Sequence, residues 1–156
     1  MSTAAAEQAA RTLPPGPSVL VVDDEEGMRQ GMRRILERRG YAVVTAGDGA
    51  EALERLAERD FDIALVDLKM PRVDGFEVTR RINDSRGGRT VVVIVSALAT
   101  VEAAVQVTRH GAFDFLVKPF TPDDLVEVVE RAAGQRRLLY EREHYLTELN
   151  SERNYS

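Results

Sequence analysis

The sequence contains no cysteine among its 156 residues. This absence excludes a disulfide framework, a thiolate metal site and a thiol nucleophile, and it is typical of proteins in a reducing compartment. Only two histidines are present, His110 and His144, and they are too few and too far apart in the sequence for a zinc site. Any metal chemistry must therefore rely on oxygen ligands.

Long apolar runs are also missing. The longest, from Val91 to Val95, is far too short to cross a bilayer. The opening residues, MSTAAAEQAARTLPPGP, lack the basic start and apolar core of a signal peptide, so we interpret residues 1–17 as a flexible tail. These features predict a soluble, cytoplasmic protein without a membrane partner.

The chain has no excess of positive charge. Its 26 acidic and 21 basic residues give a net charge of −5 and are well mixed, so we expect no direct nucleic-acid binding by this chain. Apolar residues make up 44% of the sequence, which suffices for the core of one ordinary domain.

From Ser18 onward, short β-branched runs alternate with longer segments of helical spacing. The pattern predicts strands at 19–22, 42–45, 63–66, 91–95 and 113–117, and helices near 27–39, 50–59, 76–83 and 101–109 and from Pro122 onward. Apolar strands such as VVVIV cannot have a solvated face, which favours a parallel sheet. The sequence therefore predicts an α/β fold, a doubly wound five-stranded parallel sheet with helices on both faces.

Helix starts support this division. Asp48 and Asp74 are each followed by glutamate three residues later, which is the spacing of a capping box. Thr121 precedes a proline that suits the first helical position. Local signals therefore agree with the predicted alternation.

Polar side chains follow four of the five predicted strands. They are Asp23 and Asp24 after the first, Asp67 after the third, Ser96 after the fourth and Lys118 after the fifth. Because a doubly wound sheet collects functional residues at the carboxyl ends of its strands, we expect them to converge. Two carboxylates about 4 Å apart repel by roughly 1 kcal/mol in water and roughly 4 kcal/mol near a protein surface. The acids therefore need a cation, and oxygen ligands favour Mg²⁺.

Each of these residues also has an ordinary structural interpretation. Acids such as Asp23 and Asp24 are common in turns and at helix starts, Ser96 suits a helix cap, and Lys118 suits a solvated surface. Asp67 could begin a loop. Joint placement at strand ends on one side of a sheet favours a shared site over independent roles.

Four segments together resemble the receiver domain of two-component response regulators. They are VLVVDDE at 19–25, VDLKMPRVDG at 66–75, IVSA at 94–97 and FLVKPF at 115–120. The resemblance covers residues 18–134, which we interpret as the receiver domain, and it implies a flavodoxin-like (βα)5 fold. Their order and spacing make the match specific.

The resemblance implies that Asp67 accepts a phosphoryl group from a sensor histidine kinase or a phosphotransfer protein. Asp24, Asp67 and the backbone carbonyl of Lys69 would bind Mg²⁺, or Mn²⁺ in its place, while Asp23 would act mainly through a coordinated water. Lys118 and Ser96 would contact the phosphoryl oxygens. Such a domain is not an enzyme for other substrates, because it catalyses only its own phosphoryl transfer and autodephosphorylation.

The resemblance also implies a switch. Phe115 would turn inward as the loop carrying Ser96 moves, although Phe115 also suits a core aromatic, and the Lys118–Pro119 peptide bond would be cis. The surface of the fourth helix, fifth strand and fifth helix would then control a downstream output domain, a partner or a homodimer. The segment at 113–120 is most similar to receivers attached to transcriptional activators with ATPase domains, but similar receivers also precede sensor or kinase modules.

Two residues near the acceptor suggest a slow loss of the phosphoryl group. Lys69 is a long cation beside the path of an attacking water, and we hypothesise that it occludes that path. Leu98, two residues after Ser96, is apolar and could not orient such a water. Ser96 keeps the hydroxyl of the threonine that is also frequent in the family but lacks its methyl group.

Helix-favouring residues continue beyond Gly134 through QRRLLYEREHYLTELNSER. We expect the last receiver helix to close near Gly134, with residues 135–156 as a helical extension. A seven-residue repeat predicts either a weak coiled coil between two chains or one amphipathic helix whose first half packs on the sheet. The repeat consists of Leu125, Ala132, Leu139 and Leu146.

Other classes of protein fit less well. A Mg²⁺-dependent phosphatase with an aspartyl-phosphate intermediate typically has a second aspartate where this chain has Lys69. No predicted strand is followed by the glycine pattern of a nucleotide-binding loop. A receiver-like docking module that never takes up phosphate is disfavoured because all five site residues are present.

Overall fold

A parallel five-stranded sheet lies at the centre of the molecule in the computed structural model, which describes residues 16–70, 73–84, 90–98 and 100–154. The strands are β1 (Ser18–Val22), β2 (Ala42–Ala46), β3 (Ile63–Val66), β4 (Val91–Ser96) and β5 (Asp114–Val117). The helices are α1 (Glu26–Glu37), α2 (Gly49–Glu58), α3 (Gly75–Asp84), α4 (Val101–Arg109) and α5 (Pro122–Asn154). The sheet order β2-β1-β3-β4-β5 is the flavodoxin-like order, which confirms the predicted fold class.

Both faces of the sheet are covered because its strands are apolar on both sides. Every residue of β3 and β4 is buried. One face packs against α1 and α5, through side chains such as Met32 and Leu125. The other face packs against α2, α3 and α4, through side chains such as Ala52, Val78 and Val107. This doubly wound packing leaves the strand ends as the natural place for a site.

Side-chain caps begin α2, α3 and α5 at the residues that the sequence predicts. In each case a side-chain oxygen accepts the backbone N–H three residues later: Asp48 from Glu51 at 2.7 Å, Asp74 from Glu77 at 2.9 Å and Thr121 from Asp124 at 3.1 Å. Asp124 also accepts from the Thr121 N–H at 3.0 Å, so this capping box is reciprocal. These caps satisfy helix N–H groups that have no partner within the helix.

The predicted strand bounds are wrong by one residue at four ends. β1 begins at Ser18 because Ser18 pairs with Ala42. β2 extends to Ala46 because Ala46 pairs with Val22, and β4 extends to Ser96 because Ser96 pairs with Val117. β5 begins at Asp114, which is the first residue of that strand to pair with β4. Pairing across the sheet, which local sequence does not show, decides these ends.

Helix α5 continues through Gly134 to Asn154, so the prediction that it closes near Gly134 is wrong. A glycine within a helix costs about 1 kcal/mol relative to alanine. Contacts beyond the glycine offset this cost, since Leu139 packs against the core and Arg136 Nε lies 3.5 Å from Asp62 Oδ1. The packed part of the domain therefore extends to about Leu139.

The seven-residue repeat of α5 lies partly inside the chain. Leu125 and Ala132 are fully buried and Leu139 packs against the same core, whereas Leu146 is exposed. A seam between two chains therefore remains a prediction for the segment beyond Leu139. Residues 1–15 of the predicted flexible tail lie outside the described residues. Among the described helices, none has the length and apolar character needed to cross a membrane.

Candidate functional site

Three carboxylates meet at the carboxyl ends of β1 and β3. Asp23, Asp24 and Asp67 each place one carboxylate oxygen within 4.8 Å of the others. Asp23 and Asp67 are buried, with 0% and 7% of their surface exposed, whereas Asp24 is exposed. The structure therefore brings together the three acids that the sequence singles out, two of them buried and one open to solvent.

Backbone hydrogen bonds continue past the strands and fix the residues that follow them. The Asp67 N–H donates to the Val22 carbonyl at 3.0 Å, and the Lys118 N–H donates to the Ser96 carbonyl at 2.9 Å. Helix α3 begins directly against the main chain of Asp67, because a Cβ on Gly75 would lie 2.2 Å from the Asp67 carbonyl oxygen. Only glycine permits this approach.

Lys118 reaches across the sheet edge to two of the acids. Its Nζ lies 2.6 Å from Asp23 Oδ2 and 3.3 Å from Asp67 Oδ2. Burial, the largest single influence, lowers the pKa of Lys118, but the hydrogen bonds and charges of Asp23 and Asp67 together outweigh it, so the pKa is raised. The ammonium group therefore stays charged. The Lys118–Pro119 peptide bond is cis.

Asp67 is held in an unfavourable electrostatic environment. Burial raises the pKa of its carboxyl and the nearby Asp23 carboxylate raises it further, while Lys118 and the Lys69 N–H, which donates to Asp67 Oδ1 at 3.2 Å, oppose the rise. The net pKa is raised because one ammonium group does not offset burial and a second acid. Within the described residues, the ionised carboxylate of Asp67 is therefore incompletely compensated.

The donor set fits a hard divalent cation. It offers only oxygen ligands, and the exposed position of Asp24 leaves room for the water molecules that Mg²⁺ retains. Such a cation would also stabilise the ionised form of Asp67, whose pKa is raised by burial and by the Asp23 carboxylate. Lys69 lies in the same loop with an exposed side chain, and its backbone is within hydrogen-bond reach of Asp67.

The other predicted residues lie at the neighbouring strands. Ser96 is 1% exposed at the end of β4, and its Oγ accepts the Leu98 N–H at 3.2 Å. Phe115 pairs with Ile94 and is half-buried against the core on the α4 side of the sheet. The Ser96 hydroxyl is thus engaged with its own loop, and helix α4 is capped by Thr100 rather than by Ser96. The roles of these residues in a switch stay predictions.

One residue at the site was overlooked by the sequence reasoning. Arg29, in the first turns of α1, donates from Nη1 to the backbone carbonyl of Asp23 at 2.8 Å. Residue types do not reveal a contact with a main-chain carbonyl, so the only available signal was an arginine shortly after four consecutive acids.

The comparisons with known proteins agree with this geometry. Residues 19–130 match the family model of the response regulator receiver domain. The chain is 40% identical over 114 residues to the DNA-binding transcriptional regulator NtrC of Escherichia coli, covering 73% of this chain and 24% of that protein. It is 35% identical over 126 residues to the regulatory protein AtoC of Escherichia coli, covering 81% of this chain and 27% of that protein.

Solved structures show the same relationship. The chemotaxis protein CheY4 of Vibrio cholerae superposes with a TM-score of 0.72 at 32% identity, covering 75% of this chain and 98% of that chain. The chain spans about a quarter of the length of NtrC and AtoC, so the match concerns one domain of those proteins. The family model, the relatives and the fold agree, and the chain belongs to the receiver-domain family of two-component response regulators.

Proposed function

We propose that this chain is a phosphorylation-controlled switch in which Asp67 accepts a phosphoryl group from a sensor histidine kinase or a phosphotransfer protein. The observation that carries the proposal is the placement of the Asp67 carboxylate beside the Lys118 ammonium group and within 4.8 Å of two further acids. A purely structural loop would not bury two acids beside a lysine at one sheet edge, because burying charge is costly.

The chemistry is a transfer between two acceptors. A carboxylate oxygen of Asp67 attacks the phosphorus of a phosphohistidine, the P–N bond breaks, and its electron pair stays on the imidazole, which takes up a proton. Lys118 offers a fixed positive charge to the phosphoryl oxygens. A divalent cation bound by Asp24, Asp67 and the Lys69 carbonyl, with Asp23 reached through water, would supply the charge neutralisation that a second anion requires.

The proposed output is a shift of α4 and β5. The Ser96 hydroxyl would leave the Leu98 N–H for the phosphoryl group, and Phe115 would move with it. Helix α4 suits such a movement because Val107 is buried while Val101 is 81% exposed. A shift from 1:99 to 99:1 requires about 5.5 kcal/mol of differential stabilisation by the phosphoryl group.

The same surface is proposed to act on a downstream module. Apolar side chains are exposed on α4, on β5 and just before β5: Val101, Val105, Val117 and Phe113. They suit contact with an output domain, a partner or a second copy, and the similarity to NtrC and AtoC favours a transcriptional output. The projecting part of α5, with exposed Leu138 and Leu146, is a second candidate contact between two copies.

Intact-protein mass spectrometry after incubation with acetyl phosphate and Mg²⁺ tests the proposal. We expect a gain of one phosphoryl group in the wild type, and none after chelation by EDTA or in Asp67→Asn. A gain that persists in Asp67→Asn would overturn the assignment of the acceptor. If acetyl phosphate gives no gain, binding of beryllofluoride with Mg²⁺ decides, and its failure would overturn the phosphoacceptor function.

A further inference from the structure

Arg29 of helix α1 contacts the main chain of the acidic edge, the cluster of Asp23, Asp24 and Asp67 at the carboxyl ends of β1 and β3. Its Nη1 donates to the Asp23 carbonyl oxygen at 2.8 Å, and that carbonyl belongs to the peptide unit that joins Asp23 to Asp24. A peptide unit is planar, so holding its oxygen also fixes the direction in which the Cα of the next residue leaves it. The contact therefore bears on Asp24, the exposed acid of the cluster.

The guanidinium group of Arg29 lies close to Gly47, the residue that follows β2. A Cβ on Gly47 would lie 3.3 Å from Arg29 Nη1 and 3.6 Å from Glu51 Oε2, so the arginine passes close over the glycine. Glu51 Oε2 accepts the Gly47 N–H at 2.9 Å, which keeps this loop in place. The loop that follows β2, which carries no predicted site residue, therefore packs against the guanidinium group of Arg29.

Asp23 and Asp24 differ in how they are fixed. Four groups of Asp23 have partners: its N–H bonds to Ala46, its carbonyl to Arg29, and its two carboxylate oxygens to the Glu25 N–H and to Lys118. Asp24 is exposed, so the peptide plane that it shares with Asp23 is the nearest fixed point. Hydrogen bonds around a metal site orient its ligands, and for Asp24 the Arg29 contact acts through this peptide plane.

We infer that Arg29 is a positioning residue for divalent-cation binding: it holds the Asp23–Asp24 peptide so that the Asp24 carboxylate stays at the acidic edge. The inference rests on the proposed metal-dependent function. Arg29 is not a catalytic residue, because its contact is with the main chain of Asp23 and not with the acceptor Asp67.

The charge of Arg29 and its positioning contact should affect Mg²⁺ affinity in opposite directions when the residue is replaced. An arginine beside three carboxylates repels an incoming cation, so the loss of its charge alone would tighten Mg²⁺ binding. Loss of a positioning contact would weaken it, since partners of metal ligands contribute about 10- to 100-fold in affinity. The sign of the change therefore separates the two effects.

The first measurement is the Mg²⁺ affinity of the whole chain, determined by titration calorimetry. The second is the nitrogen-15 order parameter of the Asp24 amide, measured by NMR without metal. Arg29→Met removes the donor. Gly47→Ala displaces the guanidinium without changing the charge. Arg33→Met is the matched control, because Arg33 lies on the same helix and pairs with Glu37 at 2.7 Å.

We expect Arg29→Met to weaken Mg²⁺ binding about tenfold and to lower the order parameter of Asp24. Gly47→Ala is expected to weaken Mg²⁺ binding and lower the order parameter to a smaller extent than Arg29→Met. Arg33→Met is expected to match the wild type in both measurements. Unchanged or tighter Mg²⁺ binding in Arg29→Met, beside a wild type that binds, would overturn this inference alone. A wild type that binds no Mg²⁺ would overturn the proposed function and the inference with it.

Discussion

Lys118 Nζ lies 2.6 Å from Asp23 Oδ2 but 3.3 Å from Asp67 Oδ2. The Lys118 ammonium group is thus closer to Asp23, which is fully buried, than to Asp67, the proposed acceptor. Asp67 is left with less compensation, which agrees with the raised pKa of its carboxyl. This unequal sharing has consequences for stability as well as for function.

Replacement of Lys118 by methionine is expected to destabilise the fold in the absence of metal. The change leaves Asp23 buried without its ion-pair partner, and removing one member of a buried pair typically costs about 3 kcal/mol or more. Urea unfolding with EDTA measures the effect. Added Mg²⁺ should stabilise Lys118→Met more than the wild type, because the lysine no longer repels the cation.

The only other lysine, Lys69, provides the control. Its side chain is exposed, so Lys69→Met should unfold at nearly the wild-type urea concentration. Equal midpoints for Lys118→Met and Lys69→Met would contradict the importance of the ion pair.

Asp67→Asn should stabilise the protein at neutral pH without metal. A carboxyl whose pKa is higher in the folded than in the unfolded state opposes folding once ionised: stability is full below the unfolded pKa and falls as the pH rises through the folded pKa. The substitution removes a buried negative charge, and burial is the largest cause of the raised pKa, so the wild type should be the less stable protein above the folded pKa. Thermal unfolding of both proteins across this pH range tests it.

The advantage of Asp67→Asn should disappear at a pH below the ordinary range of aspartate and shrink when Mg²⁺ is added. An asparagine variant that is less stable than the wild type at neutral pH would show that the ionised carboxylate is favourable in the fold, which contradicts the direction of its pKa shift.

The sheet and the clustering of three acids with Lys118 could be predicted from sequence because their signals are local or repeat along the chain. The predicted bounds of α4, 101–109, are those observed, and each acid follows an apolar strand. The pairing of Lys118 with Asp23 could not be predicted, since nothing in the residue types tells which of three carboxylates a lysine contacts. The continuation of α5 was missed because the contacts of Leu139 and Arg136 with the domain are remote in sequence.

Lys69→Ala should shorten the lifetime of the phosphorylated protein. Lys69 follows Asp67 by two residues, and its exposed side chain is proposed to block the path of an attacking water. We expect loss of the phosphoryl group to accelerate about threefold, which corresponds to about 0.65 kcal/mol of barrier. The half-life measured after removal of the phosphoryl donor tests this, and an unchanged half-life would show that the hypothesis is wrong.

Gly134→Ala should stabilise the protein by about 0.5–1 kcal/mol, because alanine is the better helix former. A Cβ there would meet only the mobile end of Arg137, at 3.8 Å. Gly111→Ala is the contrasting variant: its φ is +86° and its Cβ would clash with the side-chain amide of Asn83, so it should destabilise. A lower urea midpoint for Gly134→Ala than for the wild type would contradict a continuous helix through Gly134.

The central claim, that Asp67 is the residue phosphorylated, is tested most directly by locating the acyl phosphate. Borohydride reduces an aspartyl phosphate to homoserine, and trypsin then releases the peptide from Asp60 to Lys69, which contains three aspartates. We predict that fragmentation of this peptide finds homoserine at Asp67 in protein treated with acetyl phosphate and Mg²⁺. Homoserine at Asp23, Asp24 or any other aspartate, with Asp67 unmodified, would contradict the account.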